Sequence, residues 1–123
     1  MTQNQGAEGK AGHRNEVYLV GRLSGVPDER ELPSGDVLTT WRLVVERPPS
    51  KRPTPEGSRT PTVDTLECVA WPAGLRRSAG SWAPGDVIAV EGALQRRFWR
   101  SPGGLGSTYE VEVAKAKRVT RAA

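Results

Sequence analysis

Alternating β-type runs separated by Gly and Pro are the feature that most constrains how this chain can fold. In the run from Asp36 to Glu46, Val37, Trp41 and Val45 fall on one face of a strand, with the two-residue period that strands show. Gly and Pro between the runs mark turns. The sequence therefore predicts five strands, within residues 15–25, 36–46, 63–71, 85–99 and 108–119.

One short helix is predicted between the third and fourth strands, in the segment PAGLRRSAGSW (72–82). Pro72 suits the start of a helix, and Ala83, Pro84 and Gly85 follow its end. Three strands, one helix and two further strands is the connectivity of the OB-fold, a five-stranded, partly open antiparallel barrel. The pattern indicates an all-β protein of this kind, and by itself it leaves an SH3-like barrel or a short sandwich open.

The 123 residues have room for one domain. The polar, Gly-containing leader (1–14) is predicted to be disordered, the domain is expected to cover 15–119, and 120–123 form a short basic end. The segment RPPSKRPTPEGSRTPT (47–62) is too rich in Pro for a strand or helix. It is interpreted as a mobile basic loop between the second and third strands.

The composition excludes several kinds of site. One cysteine, Cys68, and one histidine, His13, allow neither an intramolecular disulfide, nor a zinc site, nor a Cys/His nucleophile pair. Glu110 and Glu112 alternate with apolar residues as on a solvated strand face, and the Gly-rich SPGGLGS (101–107) is typical of a hairpin turn. No catalytic residue, metal or cofactor is therefore predicted, and the chain is not expected to be an enzyme.

The expected cellular location follows from the absence of a membrane-spanning run and of a signal peptide in the sequence. No apolar run approaches the roughly 20 residues of a membrane-spanning helix, and the N-terminus has no signal-peptide core. A cytoplasmic, nucleoid-associated protein without membrane contact is expected. Lys and Arg number 18 against 14 Asp and Glu, and the basic residues are mostly arginine, which pairs with phosphate and stacks on bases.

The four tryptophans divide into two pairs. Trp41 lies on an apolar strand face and Trp82 closes the predicted helix, so both are expected in the core. Trp71 and Trp99 lie on polar faces and are expected to point into solvent. On the fourth strand the inward face is expected to include Ile88, Val90, Leu94 and Phe98.

Exposed indole rings among arginines are typical of a surface for unpaired bases, because each base stacked on an aromatic ring contributes about 1–3 kcal/mol. Duplex DNA hides its base faces, so the pattern favours single-stranded ligands. The candidate contacts are Trp71 and Trp99 for bases, and Arg96, Arg97, Arg100, Arg42, Arg22 and Arg52 for phosphates. Two alternatives stay open: an OB-fold accessory subunit that uses this surface for protein contact, and single-stranded RNA binding.

Three motifs resemble the bacterial single-stranded DNA-binding proteins, an OB-fold family. They are NEVYLVGRL (15–23), LECVAW (66–71) and PGDVIAVEGALQRRFW (84–99). The resemblance covers about 15–119 and implies sequence-tolerant binding and protection of single-stranded DNA in replication, repair or recombination, usually by a homotetramer. It places Trp71 and Trp99 at base-stacking positions of the family.

The sequence also departs from this family. Thr65 stands where other members have an aromatic residue, and Glu67 lies on the expected binding face. The end AKAKRVTRAA lacks the acidic tail through which typical members recruit partners. The resemblance therefore implies a tailless paralogue or a truncated core, and recruitment through an acidic tail is not expected.

Overall fold

The computed structural model describes residues 12–49, 51–52, 55–57 and 59–123. The chain runs β1 (Val17–Leu23), β2 (Asp28–Glu31), β3 (Val37–Glu46), β4 (Val63–Ala70), α1 (Ala73–Ala79), β5 (Val87–Ser101) and β6 (Gly104–Thr120). The prediction of a disordered leader falls largely outside the described residues, on 1–11. The predicted basic loop (47–62) is described except at positions 50, 53, 54 and 58, and its described residues form no helix or strand, as expected.

The five predicted strands correspond to β1, β3, β4, β5 and β6, and the predicted helix is α1, so the fold class is confirmed. β2 was not predicted, because its four residues are all exposed and polar and show no alternation in burial. It pairs with β3 in a hairpin whose turn is fixed by a 2.7 Å hydrogen bond from the Leu32 amide to the Asp36 carbonyl.

The strands close into a barrel in the order β1-β5-β6-β4-β3, with β2 beyond β3. β1 and β3 close it through the pairs Arg22–Val44 and Leu23–Leu43. At Gly21, a Cβ atom would lie 2.4 Å from the Val44 carbonyl oxygen, so only glycine lets the strands approach this closely. The short contact between β4 and β6 is parallel, whereas the other pairings are antiparallel.

The core confirms the predicted placement of two tryptophans. Trp41 is 3% exposed and packs edge-to-face on Trp82, with 5.1 Å between ring centroids. Such edge-to-face pairs are favourable beyond the area that they bury. Around them lie the buried side chains of Leu23, Leu43, Cys68, Ile88, Val90, Val111 and Val113.

β5 and β6 continue past the barrel as a two-stranded arm, formed by residues 95–101 and 104–110. The arm residues pair only with each other, down to Ser101–Gly104 on either side of Pro102 and Gly103. At about 3.4 Å per residue, six steps from Gln95 to Ser101 give an arm about 20 Å long. Residues 95–105 are all exposed.

The prediction that Leu94 and Phe98 point into the core is wrong for burial at both positions, because Leu94 is 42% exposed at the rim of the barrel and Phe98 lies on the arm. Leu94 pairs with buried Val111, so the two residues do continue the inward face of the barrel. Beyond Val111, however, no other strand covers that face, and Phe98 is 68% exposed.

At the base of the arm, the Asn15 side chain donates to the Leu94 carbonyl at 2.7 Å and accepts from the Leu94 amide at 2.9 Å.

Candidate functional site

Both tryptophans that were predicted to be exposed lie on the outward side of the sheet, Trp71 at the barrel and Trp99 on the arm. Trp71 is 39% and Trp99 43% exposed, which confirms the prediction of exposure. Trp99 pairs across the arm with Gly106. Trp71 follows Val69 by two residues, and Val69 pairs with Glu112, which lies on the same side of β6 as Gly106. Both indoles therefore lie on the outward side of the sheet. Trp99 is on β5, Trp71 follows β4, and β6 lies between these two strands.

The two rings lie far apart along β6. Trp71 lies one residue beyond β4, and continuing the β4–β6 register to it puts it level with position 114, whereas Trp99 pairs with Gly106. Eight residues at about 3.3 Å each separate them by about 25 Å. They therefore contact different parts of any ligand, and a ligand that reaches both has to run along the barrel and onto the arm.

Trp99 packs closely against the opposite strand. A Cβ atom built on Gly106 would meet the indole atoms Cζ2 at 2.6 Å, Cε2 at 2.7 Å and Nε1 at 2.9 Å. The absence of a side chain at Gly106 therefore leaves the space that the indole occupies. The guanidinium carbon of Arg97 stands 6.0 Å from the ring centroid. The indole thus packs against β6, and the Arg97 cation stands over the ring.

Each carboxylate on this part of the outer surface has a partner. Glu67 accepts from the Arg42 Nε at 2.6 Å, and Glu110 lies 3.4 Å from the Arg97 Nε. Glu112 accepts a hydrogen bond from the Gln95 amide. A carboxylate such as Glu67 on the expected binding face would by itself disfavour an anionic ligand. In the structure Glu67 is paired with Arg42, which is one of the predicted phosphate contacts.

The other predicted arginines lie in three places. Arg22 is exposed on β1 and pairs with Val44, so it lies on the outer surface beside β3. Arg52 is exposed in the loop between β3 and β4. Arg96 and Arg100 project from the arm face opposite Trp99, because they alternate with Arg97 and Trp99 along β5. Arg96 and Arg100, predicted as phosphate contacts, therefore lie on the other side of the arm from the Trp99 ring.

Sequence reasoning missed two exposed aromatic residues on that opposite face. Phe98 was assigned to the core, and Tyr109, which is 58% exposed, was treated only as part of an alternating strand. A signal was present in the sequence. Arginines at 96, 97 and 100 put positive charge on both faces of the strand, and a strand with a cation on each face has no face to bury.

The site shows binding groups and no reactive ones. Burial, with Glu67 and Glu110 nearby, raises the pKa of the Cys68 thiol to about 12, so the thiol stays protonated. Among the described residues, no group of His, Cys, Asp and Glu side chains is arranged to hold a metal ion. No helix in the described ranges has the length and hydropathy to cross a membrane.

Comparison with known proteins identifies the family. The sequence model described as "Single-strand binding protein family" matches residues 14–119. The chain belongs to this family. Membership in a family of binding proteins also confirms that the chain is not an enzyme.

Relatives named "Single-stranded DNA-binding protein" share about a third of the aligned residues. The Oceanobacillus iheyensis protein is 32% identical over 99 residues, which are 80% of this chain and 58% of that protein. The Bacillus cereus protein is 33% identical over 90 residues, 73% of this chain and 50% of that protein. The Thermotoga maritima protein is 31% identical over 73% of this chain and 62% of its own length. The chain thus spans between half and two thirds of these relatives.

A solved structure has the same fold. The chain described as "Plasmodium falciparum SSB complex with ssDNA" superposes with a TM-score of 0.68, covering 86% of this chain and 93% of that chain. Its sequence is 20% identical to this one. This likeness agrees with the OB-fold barrel predicted from the order of strands and helix.

Proposed function

We propose that this chain binds and protects single-stranded DNA with little sequence preference. The observation that carries the proposal is the Trp99 indole, which packs against Gly106 of the arm with the Arg97 guanidinium over the ring. A positioned ring that is still 43% exposed is a stacking platform that accepts any base. Family membership and the printed names of the relatives support DNA as the ligand.

Bases would stack on Trp71 and Trp99, while arginines neutralise the phosphates between them. The separation of about 25 Å along β6 means that the two rings hold different bases of one strand. Arg42 and Arg97 would exchange the carboxylates of Glu67 and Glu110 for phosphate oxygens. The Arg42–Glu67 pair is exposed, and such pairs are worth only about 0–1 kcal/mol, so the exchange at Arg42 costs little. The Glu110 side chain is only 15% exposed, so the exchange at Arg97 costs more.

The remaining contacts belong to the same proposal. Arg22 and Arg52 supply further positive charge on the barrel and in the β3–β4 loop, and Arg96 and Arg100 supply it on the arm. Binding by residues 15–119 would serve replication, repair or recombination in the cytoplasm. A homotetramer is proposed from the family resemblance. It is supported by β1, whose residues Val17–Gly21 pair only with β5 and expose Tyr18 and Val20.

The test is a titration of labelled oligo-dT, followed by fluorescence anisotropy at several salt concentrations. Wild type should bind, with a log–log salt slope of about −0.7 for each phosphate neutralised. Trp99→Ala and Trp71→Ala should each weaken binding by about 1–3 kcal/mol. Trp99→Phe is the matched control, because it keeps an aromatic face at the same position.

Two results would contradict the proposal. Absence of binding at low salt would leave the protein-contact alternative. Oligo-U binding tighter than oligo-dT at matched salt would make RNA the ligand. Light scattering on the same samples measures the mass of the assembly and tests the tetramer separately.

A further inference from the structure

The arm has a second face, opposite Trp99, which we call the Phe98 face. Cross-strand pairing puts six side chains on it: Arg96, Phe98, Arg100, Leu105, Ser107 and Tyr109. In the barrel this side of the sheet packs the core, but along the arm no other strand covers it. The Phe98 face is therefore an open surface built from aromatic and basic residues.

Arg96 contacts both aromatic rings of this face and the Ser107 hydroxyl. Its guanidinium carbon lies 5.1 Å from the Phe98 ring centroid and 5.5 Å from the Tyr109 ring centroid, both within cation–π range. Its Nε and Nη2 atoms donate to the Ser107 hydroxyl oxygen at 3.1 and 3.0 Å. The N–H groups of Nη1 have no acceptor among the described residues. The cation is thus held against two rings with donors left for a ligand.

The two faces of the arm differ in charge. The Trp99 face carries Arg97 together with Glu110, and Glu112 follows at its base. The Phe98 face carries two arginines and no carboxylate between Leu94 and Val111. An anionic ligand is therefore favoured more strongly on the Phe98 face than on the face that the sequence had indicated.

The rings identify what kind of anion fits. Phe98 is 68% and Tyr109 58% exposed, and exposed aromatic patches mark binding surfaces. An apolar protein partner would have to remove water from Arg96 and Arg100 without pairing them. A single strand of nucleic acid satisfies both kinds of group, because its bases stack on rings and its phosphates pair with guanidinium groups.

We propose that the Phe98 face is a second stacking site, so that one single strand contacts both faces of the arm. Phe98 and Tyr109 take bases, and Arg96 and Arg100 pair with the phosphates next to them. Since the arm residues pair only with each other, both long edges of this ribbon are open, and the strand passes around an edge. The inference rests on the proposed function and adds a binding site to it.

The test uses the double variant Phe98→Leu/Tyr109→Leu, which keeps apolar bulk and removes both ring faces. Affinity for labelled oligo-dT of graded length is measured by anisotropy. Long oligonucleotides should bind at least about fivefold more weakly than to wild type. Short ones that fit on one face should lose less. Phe98→Tyr/Tyr109→Phe is the ring-conserving comparison, because it keeps both ring faces, and it should bind long oligonucleotides more tightly than the double Leu variant does.

Photocrosslinking locates the strand without any change to the protein. Oligo-dT with 5-iodouracil at single positions is irradiated with the wild-type chain, and the crosslinked residues are identified by mass spectrometry. Crosslinks are expected at Phe98 or Tyr109 as well as at Trp99. This measurement also covers the case in which the double Leu variant does not fold.

The outcomes separate this inference from the proposed function. If wild type binds and Trp99→Ala weakens binding, but the double Leu variant binds normally and no crosslink forms at Phe98 or Tyr109, the Phe98 face is not a DNA site and the proposed function stands. If wild type does not bind oligo-dT at all, both fail. If the double Leu variant changes only the mass in light scattering, the face is an interface between copies, which overturns the inference.

Discussion

Replacing Gly106 by Ala tests whether the resting position of Trp99, and not merely its presence, supports binding. The added Cβ would lie 2.6–2.9 Å from three indole atoms, whereas non-bonded carbon atoms normally stand about 3.5–4.0 Å apart. The ring therefore has to move away from β6 by about 1 Å. Because the contact involves the fused edge of the indole, the shift tilts the ring and changes the face that it presents.

The expected effects of Gly106→Ala on oligo-dT affinity and on stability can both be bounded. Binding of oligo-dT should weaken by up to the loss for Trp99→Ala, which is about 1–3 kcal/mol. The fold should be unaffected or slightly stabilised, because Gly106 does not have a positive φ and Ala in a strand is favoured over Gly by about 0.5–1 kcal/mol. The variant thus separates the position of the ring from the stability of the arm.

The assay combines oligo-dT anisotropy, tryptophan emission and urea unfolding. Gly103→Ala is the matched control, since the nearest atom to its added Cβ is the Ser101 Oγ at 3.9 Å and this variant should bind like wild type. If Gly106→Ala leaves both the affinity and the emission spectrum unchanged, the contact with β6 does not fix the ring. If it unfolds the chain, the strand does not tolerate a side chain there, and the argument from ring position also fails.

Two further predictions concern the barrel. Trp41→Ala should lower the free energy of unfolding by about 3–5 kcal/mol, measured by urea denaturation, because the ring is buried against Trp82; a loss below 1 kcal/mol would contradict this role. Hydrogen bonds from the Ala83 and Ala122 amides hold the pKa of Asp86 below its ordinary value, so its ionised form stabilises the fold above the unfolded pKa of about 3.9. The difference in melting temperature between wild type and Asp86→Asn should be largest near neutral pH and shrink as the pH falls through the folded pKa, and a difference that does not change with pH would refute this.

The barrel could be predicted from the sequence because its strands alternate between a core face and a solvent face. Trp41 and Trp71 were placed correctly on that basis alone. The same reasoning failed at Phe98, where the strand keeps its period but has left the barrel. Alternation identifies which residues share a face, and it does not show whether anything packs on that face.

The arrangement of the arginines could not be predicted for a related reason. Arg96 and Arg97 are neighbours in sequence, yet they serve opposite faces, and their partners come from β6. The Arg97–Glu110 pair depends on the register between β5 and β6, as do the contacts of Arg96 with Ser107 and Tyr109. That register is set by the tight turn at the end of the arm, which the sequence showed only as a longer Gly-rich segment.

An isolated two-stranded ribbon is marginally stable in water, so the arm needs its own cross-strand contacts to stay ordered. Those contacts are made by side chains proposed to bind DNA: Trp99 packs on β6, and Arg96 lies against Tyr109. The rings and the Arg96 guanidinium group are therefore already positioned in the absence of a ligand. Because less ordering is left to occur on binding, more of the stacking energy remains as affinity. The contacts that hold the arm together thus also prepare both of its faces for a single strand.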